Sequence, residues 1–131
     1  MSIGIKELAY VAYPVTDLER SRRFYGDVLG LKEEVTFDHQ GTVGWVEYEV
    51  DGRTFALAQA TKEWQPSESG AGAAFEVESI ESALEVLAAA GTEPATPIGD
   101  FSACRICVIP DPDGNGIILH QRKPHHPDFS T

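Results

Sequence analysis

The stretch that decides the fold is VTDLERSRRFYGDVLGL, residues 15–31. Thr16 followed three residues later by Glu19 has the pattern of a capping box, so we predict a helix whose N-cap is Thr16. Apolar residues follow at roughly helical spacing, at positions 18, 24, 25, 28 and 29. Gly30 supplies the left-handed residue that commonly follows the end of a helix. The stretch therefore predicts one helix with a defined start and stop.

The same signals return later in the chain. Ser79 is a predicted N-cap, and the apolar positions after it stop at Gly91. The two predicted helix starts are 63 residues apart and the two glycine stops are 61 apart. Two Asp-Gly turn signals, Asp51-Gly52 and Asp113-Gly114, are 62 apart. Three landmarks that agree within one residue indicate a duplicated unit of about sixty residues.

Short β-prone runs fill the space around the two predicted helices. The predicted strands are residues 7–13, 34–38, 43–50, 54–60, 73–77, 93–96, 103–109 and 116–121. The order is β-α-β-β-β, repeated once, which predicts an α+β fold of two tandem βαβββ modules, 5–60 and 72–122. A half of this size buries too little core by itself, so we expect one domain over 1–123. Residues 124–131, with His125 and His126, are predicted to be a mobile tail.

Charge and composition restrict the partners. The chain has 131 residues and a net charge of -11, which argues against nucleic acid and anionic membranes and permits a cationic ligand. It has no apolar run long enough for a membrane helix and no signal-peptide pattern, so we expect a cytoplasmic protein. Cys104 and Cys107 are three residues apart on a predicted strand and thus on opposite faces, which is typical of structural thiols rather than of one zinc site.

Three segments carry a resemblance to a known family. Residues 15–31, Phe75-Glu76-Val77 before the second helix, and Asp111-Pro112-Asp113-Gly114-Asn115 occur in the order and spacing of the vicinal-oxygen-chelate superfamily. This superfamily includes glyoxalases, bleomycin resistance proteins and extradiol dioxygenases. The resemblance covers nearly the whole chain. It implies a cup-shaped mixed sheet, a homodimer and, in the metal-dependent members, a divalent ion held in the cup by His and Glu.

The ligand positions of the metal-dependent relatives can be transferred one by one. They fall on Tyr10, Gly72 and Ile118, and internal symmetry places a fourth on Ala56. Gly, Ala and Ile offer no side-chain donor atom, and a tyrosine phenol is protonated near neutral pH. We therefore predict no cofactor and no metal at the inherited positions, although a divalent ion at shifted positions stays open.

His120 is the candidate acid or base, because it lies two residues after Ile118 and so faces the same side of its strand. Structural polar lining is the competing interpretation. Tyr10 and Trp45 are candidates for an aromatic pocket wall or for ordinary core. By strand parity, we expect these further residues to face the cup: Trp45, Glu47, Arg105 and Cys107. The predicted ligand-binding set is Tyr10, Trp45, Glu47, Arg105 and His120.

Three functions remain open at this point. The first is a metal-free binding protein of the bleomycin-resistance kind, which holds a small organic molecule in the cup. The second is a metal-dependent lyase or dioxygenase whose ligands have moved, for example to His120 and Glu47. The third is a metal-independent isomerase that uses His120. Fold analogy cannot choose among them, because function lives in the site.

Overall fold

The computed structural model describes residues 2–124, without the side chain of His39. The predicted tail, with His125 and His126, lies outside the described residues apart from Pro124. The chain divides into two compact units, Met1–Gln65 and Pro66–Thr131. Within residues 2–124, no helix is long and apolar enough to cross a membrane.

The first unit contains four strands and one short helical segment. In chain order they are β1 (Val11–Val15), α1 (Leu18–Arg22), a π-helical turn (Arg23–Val28), β2 (Lys32–His39), β3 (Thr42–Val50) and β4 (Arg53–Gln59). The strands form one sheet in the order β1-β4-β3-β2, in which β1 is parallel to β4 and the other pairs are antiparallel. This is one complete βαβββ module.

The second unit repeats the arrangement. Its elements are β5 (Ala73–Glu76), α2 (Ile80–Ala89), β6 (Gly99–Asp100), β7 (Cys104–Pro110) and β8 (Gly116–Arg122). The sheet order is β5-β8-β7-β6, again with its first strand parallel to its last. The predicted α+β class with two βαβββ modules is confirmed.

Each module has its core on one face of its sheet. In the first unit Tyr48 and Phe55 are buried, and the ring of Tyr25 in the π-helical turn contacts both, with centroids 6.4 and 5.4 Å away. In the second unit Gln121 of β8 accepts a hydrogen bond from the backbone N–H of Ile80 at 2.9 Å. Its face of β8 therefore lies toward α2, and Leu119 on that face is buried.

The first helix begins one residue later than predicted and changes type. Asp17, not Thr16, is its N-cap, and Asp17 Oδ1 accepts from the backbone N–H of Arg20 at 3.1 Å. The Thr16 hydroxyl instead accepts from the Arg20 guanidinium. After Arg22 the helix widens, because the N–H of Leu29 donates to the carbonyl of Phe24, five residues back.

Two predicted strands are displaced. The first begins at Val11 rather than at residue 7 and continues to Val15. The segment 93–96 is not a strand, because Pro94 and Pro97 have no N–H to donate to a sheet ladder. Thr96 still reaches β7, where its hydroxyl accepts from the N–H of Val108 at 3.0 Å. A two-residue strand, Gly99–Asp100, takes the edge position instead.

Candidate functional site

The candidate site lies on the first sheet, on the side that points away from the π-helical turn. Trp45 and Glu47 alternate in β3 with the fully buried Val46 and Tyr48, so they point to the opposite side. We call this side the Trp45 face. By strand register it presents Ala12 and Pro14 of β1, Ala56 and Ala58 of β4, Trp45 and Glu47 of β3, and Val35 and Phe37 of β2.

Three of the predicted site residues meet on the Trp45 face. The indole Nε1 of Trp45 donates a hydrogen bond to Oε2 of Glu47 at 2.8 Å. The Tyr10 ring meets the Trp45 ring edge to face, with centroids 5.1 Å apart and planes at 82°. Ala56, directly opposite Glu47 in the ladder, is a small neighbour. The result is a carboxylate fixed by an indole whose ring packs against a second aromatic ring.

The charge of Glu47 has no cationic partner in the described part of the chain. Among residues 2–124, with the His39 side chain left aside, no Lys, Arg or His forms an ion pair with Glu47, although its strand position is half-buried. A half-buried anion without a counterion is costly for the protein alone. A ligand cation would compensate it.

Phe37 is a site residue that the sequence analysis missed. It lies directly opposite Trp45 in the β2–β3 ladder, and 56% of it is exposed. Only the strand register reveals this, because β2 is offset by irregularities on both sides of the Val35–Phe37 segment. Phe37 adds a further apolar ring to the Trp45 face.

His120 lies on the second sheet, on the side away from α2. Its Nδ1 is 2.5 Å from Oε1 of Glu76, which is its neighbour in the parallel β5–β8 pair. The other oxygen of Glu76 accepts from the backbone N–H of Arg122 at 2.7 Å. Burial alone would raise the pKa of Glu76, but the hydrogen bonds from Arg122 and His120 outweigh it and lower that pKa.

Glu76 was not singled out from the sequence as a site residue. Its position in the segment Phe75-Glu76-Val77 indicates that Glu76 faces away from Phe75. The sequence does not indicate which strand lies beside Glu76. The structure makes it the residue that orients the His120 ring. The contact assigns the ring proton to Nδ1, because a carboxylate favours N–H on the nitrogen that it meets.

The prediction that Arg105 and Cys107 share the face of His120 is wrong. In the β7–β8 ladder His120 is opposite Ile106. Arg105 and Cys107 flank Ile106 in β7, so they point to the other side of the sheet, toward α2. Arg105 forms a bidentate ion pair with Glu81 of α2. Cys107 is fully buried, and burial raises the pKa of its thiol despite a hydrogen bond to the carbonyl of Thr96.

The two modules differ by one residue in the pairing of their last two strands. Ala56 is opposite Glu47, whereas Ile118 is opposite Val108. Ala56 and Ile118 are therefore 62 residues apart, whereas their ladder partners Glu47 and Val108 are 61 apart. A slip of one residue exchanges the two faces of a strand. Applying the offset of 62 to β3 would assign to the side of the sheet that carries His120 the residues of β7 that in fact face α2.

The inherited metal positions do not fit a divalent ion. Tyr10 and Ala56 belong to the first unit, and Gly72 and Ile118 to the second. A Cβ at Gly72 would already lie 3.0 Å from the carbonyl oxygen of Gly116, which leaves little room for a longer donor side chain there. Within residues 2–124, no group of three or more His, Cys, Asp or Glu could hold a metal ion. We therefore derive no step through a metal.

A separate, open pocket of about 570 Å³ lies beside the start of α1. Its walls include Asp17, Glu19, Thr42 and Gln59. Asp17 caps the helix, and Gln59 donates to the carbonyl of Thr16 at 2.9 Å. None of the sequence-predicted site residues lines it.

Comparison with known proteins agrees with this architecture. The family model described as Glyoxalase/Bleomycin resistance protein/Dioxygenase superfamily matches residues 7–119. The comparison with curated proteins found no match.

Several solved structures have the same fold. TnmS3, an antibiotic binding protein from Streptomyces sp. CB03234, is 21% identical with a TM-score of 0.74, over 93% of this chain and 100% of that chain. A putative glyoxalase family protein from Bacillus anthracis is 21% identical with a TM-score of 0.74, over 94% and 100%. The fosfomycin resistance protein FosX from Listeria monocytogenes is 17% identical with a TM-score of 0.70, over 92% and 97%. At these identities the likeness shows the fold alone.

Proposed function

Because the chain belongs to the glyoxalase/bleomycin resistance protein/dioxygenase superfamily, we propose that it is a metal-free binding protein for a small organic molecule. The observation that carries this proposal is the Glu47 carboxylate, which accepts from the Trp45 indole at 2.8 Å, while the indole makes a T-shaped contact with the Tyr10 ring. Small-molecule sites typically combine apolar and aromatic walls with a few fixed polar groups. The Trp45 face has both.

The same geometry favours a planar organic cation as the ligand. The indole occupies one oxygen of Glu47 and fixes the carboxylate, and no cationic side chain among residues 2–124 forms an ion pair with it. Aromatic faces attract cations, by about 0.5–1 kcal/mol when exposed and about 2 when desolvated. The net charge of -11 adds a field that draws cations toward the molecule.

Two structural neighbours support a role in handling small molecules. TnmS3 is described as an antibiotic binding protein and FosX as a fosfomycin resistance protein. Both have the fold of this chain, and neither is similar enough to supply a ligand. The neighbours therefore support the class of function, while the ligand's chemistry rests on Glu47 and its aromatic surroundings.

A pair of probes tests the charge requirement. N-methylquinolinium is a planar cation, and quinoline is its neutral counterpart of nearly the same shape. Isothermal titration calorimetry of wild-type protein should show saturable binding of the cation and much weaker binding of quinoline. Glu47→Gln should weaken binding of the cation by about tenfold, equivalent to about 1.4 kcal/mol, and leave quinoline unchanged.

Glu85→Gln is the matched control, because it removes the same charge from an exposed position of α2. It should bind both probes as wild type does. If Glu47→Gln and Glu85→Gln bind the cation with the same affinity as the wild type, the carboxylate on the Trp45 face does not select the ligand and the proposal fails.

The Glu76–His120 pair favours a second candidate function, a metal-independent isomerase. A carboxylate that holds Nδ1 of an imidazole prepares the other ring nitrogen to accept a proton. On an α-hydroxycarbonyl ligand, the C–H proton beside the carbonyl moves to the imidazole and its electron pair enters an enediolate. The hydroxyl proton passes to the former carbonyl oxygen, and the imidazolium returns its proton to the former carbonyl carbon. Glu76 would stabilise the imidazolium formed between the two steps.

Deuterium exchange tests this candidate. Dihydroxyacetone and glyceraldehyde, incubated with the protein in D₂O containing a chelator, should lose C–H signals in NMR spectra faster than in buffer alone. His120→Gln should abolish the excess exchange, and Glu76→Gln should shift its pH profile. Exchange at the buffer rate, or excess exchange that survives His120→Gln, would eliminate His120 as the base for this probe pair and with it this candidate.

A further inference from the structure

The side of the second sheet that carries His120 also carries a cysteine. In the β7–β8 ladder Cys104 is opposite Arg122 and Ile106 is opposite His120, so these four side chains point to the same side, away from α2. Glu76 of β5 lies on this side too, beside His120. We call this side the thiol face. It brings a thiol, an imidazole and a carboxylate together on one sheet.

The chain's two cysteines, Cys104 and Cys107, differ in their access to solvent. Neither forms a disulfide. Cys107 is fully buried, whereas Cys104 is half-buried. Reactive cysteines are partly exposed and lie near cationic or imidazole side chains, whereas buried structural cysteines are inert. Cys104 has this setting, because Arg122 is its cross-strand neighbour and His120 its diagonal neighbour.

The three groups have the order that a nucleophile, a base and an orienting carboxylate require. Strand β8 lies between β5 and β7, so Glu76 and Cys104 flank His120 from opposite sides. Glu76 holds Nδ1 at 2.5 Å, so the lone pair of the neutral ring is on Nε2. Diagonal neighbours in an antiparallel pair are about 7–8 Å apart, within reach of aromatic side chains. That spacing admits the double bond of a ligand between thiol and imidazole.

An apolar surface adjoins these groups on the thiol face. Val108 and Ile118 form another ladder pair on this side. Gly99 is opposite Ile106, and a Cβ added at Gly99 would lie 2.9 Å from Cε2 of Phe101, so the Phe101 ring also lies over this face. The ring is available to a ligand, because Phe101 is 54% exposed. Aliphatic and aromatic walls beside a thiol suit an organic electrophile that carries an aryl group.

We propose that Cys104 is a nucleophile that captures aryl α,β-unsaturated ketones, with His120 as the base and then the acid. The thiol proton passes to Nε2 of His120, directly or through one water, and Sγ forms a bond to the β-carbon of the ketone. The π electrons of the C=C bond move to the carbonyl oxygen and form an enolate, whose charge the Arg122 guanidinium stabilises. The imidazolium then returns the proton to the α-carbon. The product is a thioether, and the addition needs no further reactant and releases none.

This inference goes beyond the proposed binding of a cation. The thiol face belongs to the second unit and the Trp45 face to the first, and the captured ketone is neutral and becomes covalently attached. The isomerase candidate uses the same imidazole but no thiol, so Cys104→Ser separates that candidate from covalent capture. The proposals can therefore fail separately.

Phenyl vinyl ketone tests the proposal, with glutathione as the reference thiol under the same conditions. Peptide mass spectrometry of the wild type should show addition at Cys104 at least about tenfold faster than addition to glutathione. Cys104→Ser should remove the fast addition. His120→Gln should slow addition at Cys104 by at least about tenfold, because it removes the base. Glu76→Asp, which keeps the carboxylate, should retain more of the rate than Glu76→Gln, because Glu76 acts by positioning His120.

Glu85→Gln is the matched control for Glu76→Gln, because it removes the same charge from an exposed position of α2. Its rate of addition should equal that of the wild type. The buried thiol of Cys107 reports folding, since it should react only in a variant that unfolds. If it reacts in His120→Gln, the comparison rests on Glu76→Gln. Addition at Cys104 no faster than to glutathione, or a wild-type rate in the folded variants of His120 and Glu76, would overturn the proposal.

Discussion

Single residues in this protein have roles set by which side of a strand they occupy. Tyr48 and Glu47 are adjacent in β3, yet one is fully buried in the core and the other carries the candidate ligand contact. Burial raises the pKa of Tyr48 to about 12, with nearby Glu33 adding to the effect, so the phenol stays neutral. Glu47, one position earlier and on the opposite face, carries the proposed contact to a ligand cation.

Glu76 should make folding stability depend on acid. Hydrogen bonds from Arg122 and His120 lower its pKa in the folded state against the opposing effect of burial. Its contribution is therefore present above the unfolded-state pKa of about 4.3 and is lost as the pH falls through the lower folded-state value. We expect the difference in unfolding free energy between wild type and Glu76→Gln to shrink progressively as the pH is lowered below about 4.3.

Urea unfolding at a series of pH values measures this difference. Glu85→Gln serves again as the control, since Glu85 is exposed on α2. Its difference from wild type should change little over the same range. A difference between wild type and Glu76→Gln that stays constant or grows toward low pH would show that the Glu76 hydrogen bonds do not stabilise the carboxylate.

At the scale of elements, the β3–β4 hairpin holds Trp45 and Glu47 in register with the alanines of β4. Its two turn residues, Asp51 and Gly52, have φ angles of +50° and +76°. Both lie in the left-handed region that a two-residue hairpin of this twist requires. Glu49 reinforces the turn by accepting from the N–H of Gly52 at 2.7 Å.

Two glycines in and beside this hairpin should respond in opposite directions to the same substitution. Gly52→Ala places a side chain at positive φ and should destabilise the fold by about 1–2 kcal/mol. Gly44→Ala in β3 meets no atom within 4 Å and should stabilise the fold by about 0.4–1 kcal/mol, because it restricts the unfolded chain. Thermal unfolding followed by circular dichroism measures both. Equal effects of the two substitutions would contradict the assigned turn conformation.

Elements that depend on local chemistry could be predicted from the sequence. Ser79 caps α2 through its hydroxyl and Gly91 follows the helix at positive φ, as expected. The π-helical turn could not be predicted, because it depends on how the adjacent Phe24 and Tyr25 are buried together. The short β6 also depends on a distant partner, β7, and on prolines that block the more β-prone segment before it.

At the scale of the whole molecule, the fold brings some of the predicted site residues together and separates others. Parity within β3 placed Trp45 and Glu47 on one face, where Trp45 contacts both Glu47 and Tyr10. The parity expected for β7 was wrong for Arg105, because Ile106, and not Arg105, is opposite His120 in the β7–β8 ladder. Glu76 and Phe37 could not be found, since strand neighbours depend on register rather than on sequence order.

The central claim is that this chain binds a small organic cation without a metal. The most direct test is calorimetric titration of N-methylquinolinium into protein stripped with a chelator and verified to be metal-free by elemental analysis. We expect saturable binding whose affinity is unchanged when divalent metal is added back. Binding that disappears in the stripped protein and returns with one equivalent of metal would contradict the account. It would mean that a metal site, and not the Glu47 carboxylate on the Trp45 face, is what holds the ligand.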